Sequence, residues 1–447
     1  MIEGEKSMLL AGGGKAVVDL DGILPFDGFG SVRDSLCARA LVLDAVPGDG
    51  AQRVCIVVLD ATSIAPDLMT SLRAAATTAS GCTGPHLWVC VSHTFSAPHV
   101  RTPSHLADDA QRERNLRLRD AYGLAVTAAV RHAIASLREV TLSWGSAPTT
   151  ANVNRDVETP AGWWLGRNPN GFSDHGVRAL VARDASDGGV VATLFSADVQ
   201  PSVLCGSASS DGLHAVSGDI AGEASRALEE GLGGVAMFLV GTAADQAPAE
   251  QAVTVWVAAD GSLEAHDARG EGFSMVSRVG GELARAACAA ADAALAAPAL
   301  PSVGPIAEWH ETTCPGQVRA DFHQLAPARE FAFRPAEPVP TTVSVLGVGN
   351  LVLVGLQPEV SSLLGSKLRR TAAEQGVQLD VFTLVNGGAK YLPDDEAYDR
   401  ITYEAMNSGF GRGSDAAISR DVLASAQNMA ARLAAQAERA GEQGDSK

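Results

Sequence analysis

The sequence predicts an α/β protein in which a mixed β-sheet core is flanked by helices, and three observations carry that reading. Short β-branched apolar runs such as Val54 to Asp60, Leu87 to Val91 and Val235 to Val240 alternate with segments of helical period such as Pro66 to Ser80 and Leu116 to Leu137. Hydrophobic residues make up 46% of the chain and aromatics only 5%, so Ala, Val, Leu and Gly must fill the core, which suits packed helices and strands better than an aromatic-rich sandwich. Several apolar runs also stop abruptly at polar clusters, and an open sheet places its ligand crevice outside its strand ends.

At 447 residues the chain exceeds the ~250–300 at which one hydrophobic core usually stops growing, so one elaborated domain or two lobes are both allowed. The expectation is a single domain over 1–440, with any lobe boundary near 298–305, and a hydrophilic disordered tail at 441–447. A formal net charge of -18 argues against nucleic-acid or anionic-membrane partners, which demand clustered Lys and Arg. The seven cysteines form no C-x-x-C pair and read as buried hydrophobes of a reducing compartment, hence a cytoplasmic protein. The N-terminus has no signal-peptide pattern and no run of ~18 apolar residues spans a membrane.

In order, strands are expected at Ala16 to Leu20, Ala40 to Val46 and Val54 to Asp60, separated by Gly-rich turns. A helix follows from Pro66 to Ser80, a strand from Leu87 to Val91, and a long amphipathic helix from Leu116 to Leu137 on which His132 reads as a surface or boundary residue rather than a ligand. Gly12-Gly13-Gly14 is a lone glycine run, weak as a phosphate-binding signal. Ser146 to Asp174, rich in Asn, Pro, Gly and Trp, reads as a long functional loop in which Trp163 and Trp164 either line a pocket or staple the loop to the core. Strands at Val177 to Ala182 and Val190 to Ala197 precede a helix from Ile220 to Glu230 with Asp219 as its N-cap, then the strand Val235 to Val240. The Ala-rich helix Phe273 to Ala297, the connector Pro298 to Val303 and an irregular strand-like segment from Ile306 to Arg334 come next. Thr341 to Leu356 reads as a hairpin about a Gly-Asn turn, followed by helix Ser361 to Gln375, strand Asp380 to Val385 and a final helix from Asp415 to Ala440.

The stretch LWVCVSHTFSAPHV, Leu87 to Val100, concentrates the chemistry. A buried strand there runs into His93, which is either a metal ligand or acid/base, or a loop residue bonded to backbone. Other strand ends carry Gln200, Asp245, Glu359 and Tyr391; a carboxylate immediately after a buried strand needs a partner or a metal, which singles out Glu359.

At this point the chain resembles the catalytic domain of the neutral ceramidases over roughly Phe26 to Gly413. The resemblance rests on seven motifs in one order: SHTFSAPH, NVNRD, DGGVVATLFSADVQPSVL, VSGDIAG, FLVGTAADQAP, VGLQPEV and NGGAKYLPDDEAYDRITYE. It implies an α/β zinc-dependent amidase in which His93, Glu359 and Tyr391 hold Zn2+, while Arg155 and Tyr403 bind the scissile carbonyl or the oxyanion. The family's second zinc histidine falls on Gln200, with Asp198 two residues away as a substitute ligand. Its nucleophilic serine falls on Ala247, beside Asp245, and the second histidine of its HTH motif is Phe95, for which His99 partly stands in. The implied function is a ceramidase-like, metal-dependent hydrolase of an amide or acyl bond in a small molecule other than ceramide. The alternatives are non-hydrolytic acyl chemistry, such as a cyclisation or lyase step, and a metal-free pseudoenzyme that binds a ligand or partner.

Overall fold

A computed structural model describes residues 8–46, 52–258 and 260–445. The first half of the chain forms β1 (Met8–Val17), β2 (Cys37–Val46), β3 (Val54–Leu59), α1 (Pro66–Ser80), β4 (Leu87–Val91), α2 (Asp109–Ala135), β5 (Arg138–Pro148), β6 (Asn152–Thr159), β7 (Gly162–Asn168), β8 (Gly176–Asp184), β9 (Val190–Ala197), α3 (Asp219–Leu232) and β10 (Val235–Val240). Eight of these strands make one sheet in the order β10-β9-β8-β5-β1-β2-β3-β4. The outermost pairs, β9 with β10 and β3 with β4, are parallel and the strands between are antiparallel, so the sheet is mixed as expected.

The second half adds β11 (Gln246–Pro248), β12 (Val253–Val257), β13 (Leu263–Asp267), α4 (Glu271–Ala296), β14 (Ile306–Gln317), β15 (Pro335–Val348), β16 (Leu351–Leu356), β17 (Glu359–Val360), α5 (Ser362–Glu374), β18 (Gln378–Phe382), β19 (Tyr391–Leu392), α6 (Asp395–Arg400), α7 (Tyr403–Met406) and α8 (Ser414–Asp445). A four-stranded sheet runs β14-β15-β16-β18.

Alternation along the strands shows how the sheets stack. On β3, Cys55, Val57 and Leu59 face the cluster shared with α1 and α2, while Val54, Ile56 and Val58 face a second cluster that includes Leu346, Val348, Leu351 and Phe382 of the smaller sheet. The outer face of the smaller sheet, through Val343, Val345, Val352 and Val354, packs on Leu364 and Leu368 of α5 and on Ile418, Val422 and Met429 of α8. Helices α3 and α4 cover β8, β9 and β10 in the same way. The result is four layers, helix, sheet, sheet, helix, and it explains why β3 and β4 are apolar at every position: both of their faces are buried. No helix among the described residues is long and apolar enough to cross a membrane.

Several expectations are corrected. The first strand is Met8–Val17 instead of Ala16 to Leu20, and the glycine run lies inside it. A Cβ at Gly12 or Gly14 would sit 2.0 Å from the carbonyl oxygen of Ala133 or Ala129 on α2, so these glycines let helix and strand backbones touch and form no phosphate loop. The segment read as a long loop contains the β6–β7 hairpin, whose first strand also pairs with β11. Asp219 is the first helical residue of α3, at φ 52°, and its carboxylate accepts from the amides of Val203 (3.2 Å), Leu204 (3.0 Å) and Ile220 (2.8 Å), so it anchors the preceding loop as well as the helix start. Helix α2 starts at Asp109, with Asp108 capping Gln111, seven residues before its apolar period begins. Of the tail expected to be disordered, the backbone to Asp445 continues α8, while residues 446–447, like residues 47–51, lie outside the described residues.

Candidate functional site

Seven residues on six segments of the chain make up the polar cluster. His93 follows β4 in a left-handed conformation, φ 62°, and Gln200 follows β9. Glu359 and Tyr391 open two short parallel strands, β17 and β19, and are paired in register. Arg155 lies mid-way along β6, and Tyr403 and Glu404 begin α7.

His93 Nδ1 lies 2.5 Å from the Thr62 carbonyl oxygen; a carbonyl only accepts, so Nδ1 carries the hydrogen. Its Nε2 is 3.2 Å from Glu359 Oε2 without hydrogen-bond alignment. Glu359 Oε2 accepts from Gln200 Nε2 at 2.8 Å, and Gln200 Oε1 accepts from Arg155 Nη1 at 2.7 Å. Burial pushes the Glu359 carboxyl up, but His93, Arg155 and the Gln200 amide outweigh it and hold the group below its ordinary value. The Arg155 guanidinium lies 5.4 Å from the Tyr391 ring centroid and 5.9 Å from that of Tyr403. Its Nε donates to Glu404 Oε1 at 2.8 Å, and Nη2 is ion-paired with the same oxygen at 2.7 Å without hydrogen-bond alignment. Burial opposes the Arg155 charge, yet Glu404, Tyr391 and Glu359 hold its pKa well above the ordinary guanidinium value.

Arg155, Gln200, Tyr391 and Tyr403 line an open cavity of about 380 Å³ whose other walls include Phe95, Leu165, Val253, Val255, Phe322 and Ala247. Neither His93 nor Glu359 is among its lining residues: Phe95, its ring edge-on to His93 at 4.7 Å, and Gln200 stand between. A larger groove of about 620 Å³, between His86, Ile306 and Arg432, lies apart from this polar cluster.

The remaining sequence candidates are placed elsewhere. The Asp198 carboxylate is bound to Thr242 Oγ1 (2.7 Å), Ser362 Oγ (3.0 Å) and Arg369 Nη2 (2.8 Å), so it faces away from His93 and does not take the place of a ligand. Asp245 accepts from the Ser362 amide at 2.8 Å and from Asn154 Nδ2 at 3.1 Å; burial pushes it up to about 7, opposed by that amide and reinforced by Glu404. It supports β6 and α5 and does not line the cavity. His99 stands on an adjoining cavity, paired with Asp27. Trp164 packs edge-on against Tyr403 at 5.6 Å and Trp163 lies under Arg400 at 5.2 Å, so both staple the hairpin and neither lines the pocket. Glu404 and Asp156 were not singled out from the sequence: burial and Glu404 push Asp156 well above its ordinary value, and the adjacency of Glu404 to Tyr403 was the available signal.

Two solved structures share this architecture. The neutral ceramidase from Pseudomonas aeruginosa aligns with a TM-score of 0.72 at 17% identity, over 96% of this chain and 75% of that one. The fold is that of the neutral ceramidases. A ceramidase complexed with C2 aligns with a TM-score of 0.69 at 16% identity, over 93% of this chain and 74% of that one. No family model and no curated protein sequence matches the chain.

On this neutral-ceramidase fold, the zinc implied by the motif resemblance can be tested against the donors present. A catalytic zinc takes three protein ligands and an open position. His93 and Glu359 are strong donors, and the third candidate, Tyr391, offers a phenol that burial, against the pull of Arg155, pushes above its ordinary value. Gln200 spends its oxygen on Arg155 and its nitrogen on Glu359. Among the described residues no group of three or more His, Cys, Asp or Glu is placed to hold a metal ion. The donor set does not fit zinc.

Proposed function

We propose that this protein hydrolyses an amide or ester bond in a small molecule carrying an apolar group, as a ceramidase-fold enzyme whose substrate is not ceramide. One observation carries the reading: a buried guanidinium, Arg155, ion-paired with Glu404 at 2.7 Å and hydrogen-bonded to Gln200 at 2.7 Å, belongs to a side chain lining an otherwise largely apolar cavity. A cation held in place by Glu404 and Gln200 is preorganised to receive a carbonyl oxygen and the charge that develops on it. Tyr391 and Tyr403, both neutral, add hydroxyl groups on the same wall. Because Ala247 lines the cavity where the resemblance would set a serine, water is the nucleophile. Val253, Val255 and Phe322 receive the apolar group. The seven unpaired thiols suit a reducing compartment, and we place the activity in the cytoplasm.

The test uses p-nitrophenyl hexanoate and N-hexanoyl-p-nitroanilide with purified protein before and after chelation. The expected result is turnover of at least one probe, insensitive to chelator and lowered about 100-fold or more in Arg155→Met. Failure of the folded protein to turn over either probe overturns the reading, and loss of turnover on chelation overturns its metal independence. A second reading, a binding protein for the same ligands, is favoured by Ala247 and predicts saturable hexanoate binding without turnover.

A further inference from the structure

A carbonyl oxygen set before Arg155 accepts hydrogen bonds only, so any second group that holds it must point a hydrogen into the same cavity. Tyr403 lines that cavity with Arg155, whose guanidinium lies 5.9 Å from the Tyr403 ring centroid. The ring is pinned, with Trp164 edge-on to it at 5.6 Å and Tyr391 at 5.9 Å. Its remaining freedom is the direction of the hydroxyl hydrogen, which rotates to suit its neighbours. Burial, against the pull of Arg155, raises the phenol above its ordinary value, so that hydrogen is present at neutral pH.

Asn407 sets the direction. It closes α7, its backbone amide donating to the Tyr403 carbonyl at 2.9 Å, and its side-chain Nδ2 donates to the Tyr403 hydroxyl oxygen at 3.2 Å, so the two residues are tied twice. Asn407 is 2% exposed, which shelters the contact from water. A carboxamide nitrogen cannot accept, so the phenol hydrogen must turn away from it, and no other side chain among the described residues takes that hydrogen. A hydroxyl whose oxygen accepts one hydrogen bond is also polarised into a stronger donor.

We propose that Asn407 is a positioning residue that sets Tyr403 as a second hydrogen-bond donor, beside Arg155, to the carbonyl oxygen of the substrate. The inference rests on the hydrolase reading above. As water adds to the carbonyl carbon, negative charge grows on that oxygen and the bonds from both donors strengthen. Tyr403 touches the substrate and is the catalytic residue; Asn407 acts only through it. Two donors held toward one ligand atom favour an acyl carbonyl, which accepts, over an ammonium group, which only donates.

The experiment measures kcat and KM on p-nitrophenyl hexanoate for the full chain, Tyr403→Phe, Asn407→Leu and the double variant. Tyr403→Phe is expected to lose about 100-fold in kcat with KM within a factor of two, because one oxyanion donor is worth roughly 10²–10³. Asn407→Leu, similar in size and without hydrogen bonds, is expected to lose about 5-fold in kcat with KM held, the worth of about one net hydrogen bond. The double variant is expected to match Tyr403→Phe within a factor of two, since without the phenol Asn407 has nothing to position; a packing role would carry its loss into that background. Should the leucine variant not fold, Asn407→Ala completes the same cycle. Wild-type or higher kcat in the Asn407 variant overturns the proposal, and is the result expected if Oδ1 faced the phenol and held its hydrogen back. Losses that multiply in the double variant, or wild-type kcat in Tyr403→Phe, also overturn it and leave the hydrolase reading standing. Absence of turnover in the wild-type chain ends both proposals.

Discussion

Gln200 is the residue at which this site departs most sharply from a metal centre. The Gln200 carboxamide bridges a guanidinium and a carboxylate because its oxygen accepts from Arg155 while its nitrogen donates to Glu359. Gln200→His would exchange that bridge for a second strong nitrogen donor beside His93 and Glu359. The expected outcome is a gain of at least 10-fold in zinc affinity over wild type in a zinc titration; equal affinities would mean that Gln200 is not what closes the site to metal. A second residue-scale prediction concerns Asp245, whose folded-state pKa near 7 lies above the roughly 3.9 of an unfolded Asp. Below about pH 4 both states hold the proton. Between there and pH 7 the folded chain keeps a proton that the unfolded chain has released, so stability falls as pH rises through this window, by about 4 kcal/mol in all. Urea unfolding of Asp245→Asn should remove that part of the slope, and identical slopes in both proteins would refute it.

At the scale of elements, the β6–β7 hairpin shows where sequence patterns mislead. Asn152, Asn154, Arg155 and Asp156 look like loop residues because strands rarely bury four polar side chains in five positions. Three of them are tolerated because their side chains are bonded: Asn152 to the Asp198 carbonyl (2.9 Å), Asn154 to Asp245 (3.1 Å), Arg155 to Glu404 (2.8 Å). Strand β1 misleads in the opposite direction, since glycines carry no β signal yet are required where α2 crosses it. Gly12→Ala would force strand and helix apart, and a loss of about 2–3 kcal/mol is expected from chemical denaturation. A variant within 0.5 kcal/mol of wild type would show that the contact has slack.

Across the whole molecule, Arg369 on α5 ties distant parts of the chain together. Its Nη2 reaches Asp174 and Asp198, each at 2.8 Å, and its Nη1 lies 3.5 Å from Asp380 on the smaller sheet. Arg369→Met would leave three carboxylates without their shared cation, and a loss of about 3–5 kcal/mol is expected, read as a lowered unfolding midpoint. An unchanged midpoint would mean that Arg178, 2.7 Å from Asp174 and 3.8 Å from Asp380, carries the network alone.

Much of this was legible in the chain itself. Apolar periodicity located β3, β4, β9, β10 and the β15–β16 hairpin because a strand buried on both faces leaves an uninterrupted apolar run. The spacing of polar residues at strand ends picked out His93, Gln200, Glu359 and Tyr391, which the fold does gather. Only the tertiary structure decided that His93 and Glu359 sit behind Gln200 and Phe95, that Asp198 belongs to Arg369, and that His99 leans on Asp27. The reason is physical: periodicity is set by each residue's own partition between water and core, whereas a side chain's partner is set by what lies across a gap from another part of the chain, 72 residues away for His99 and 171 for Asp198.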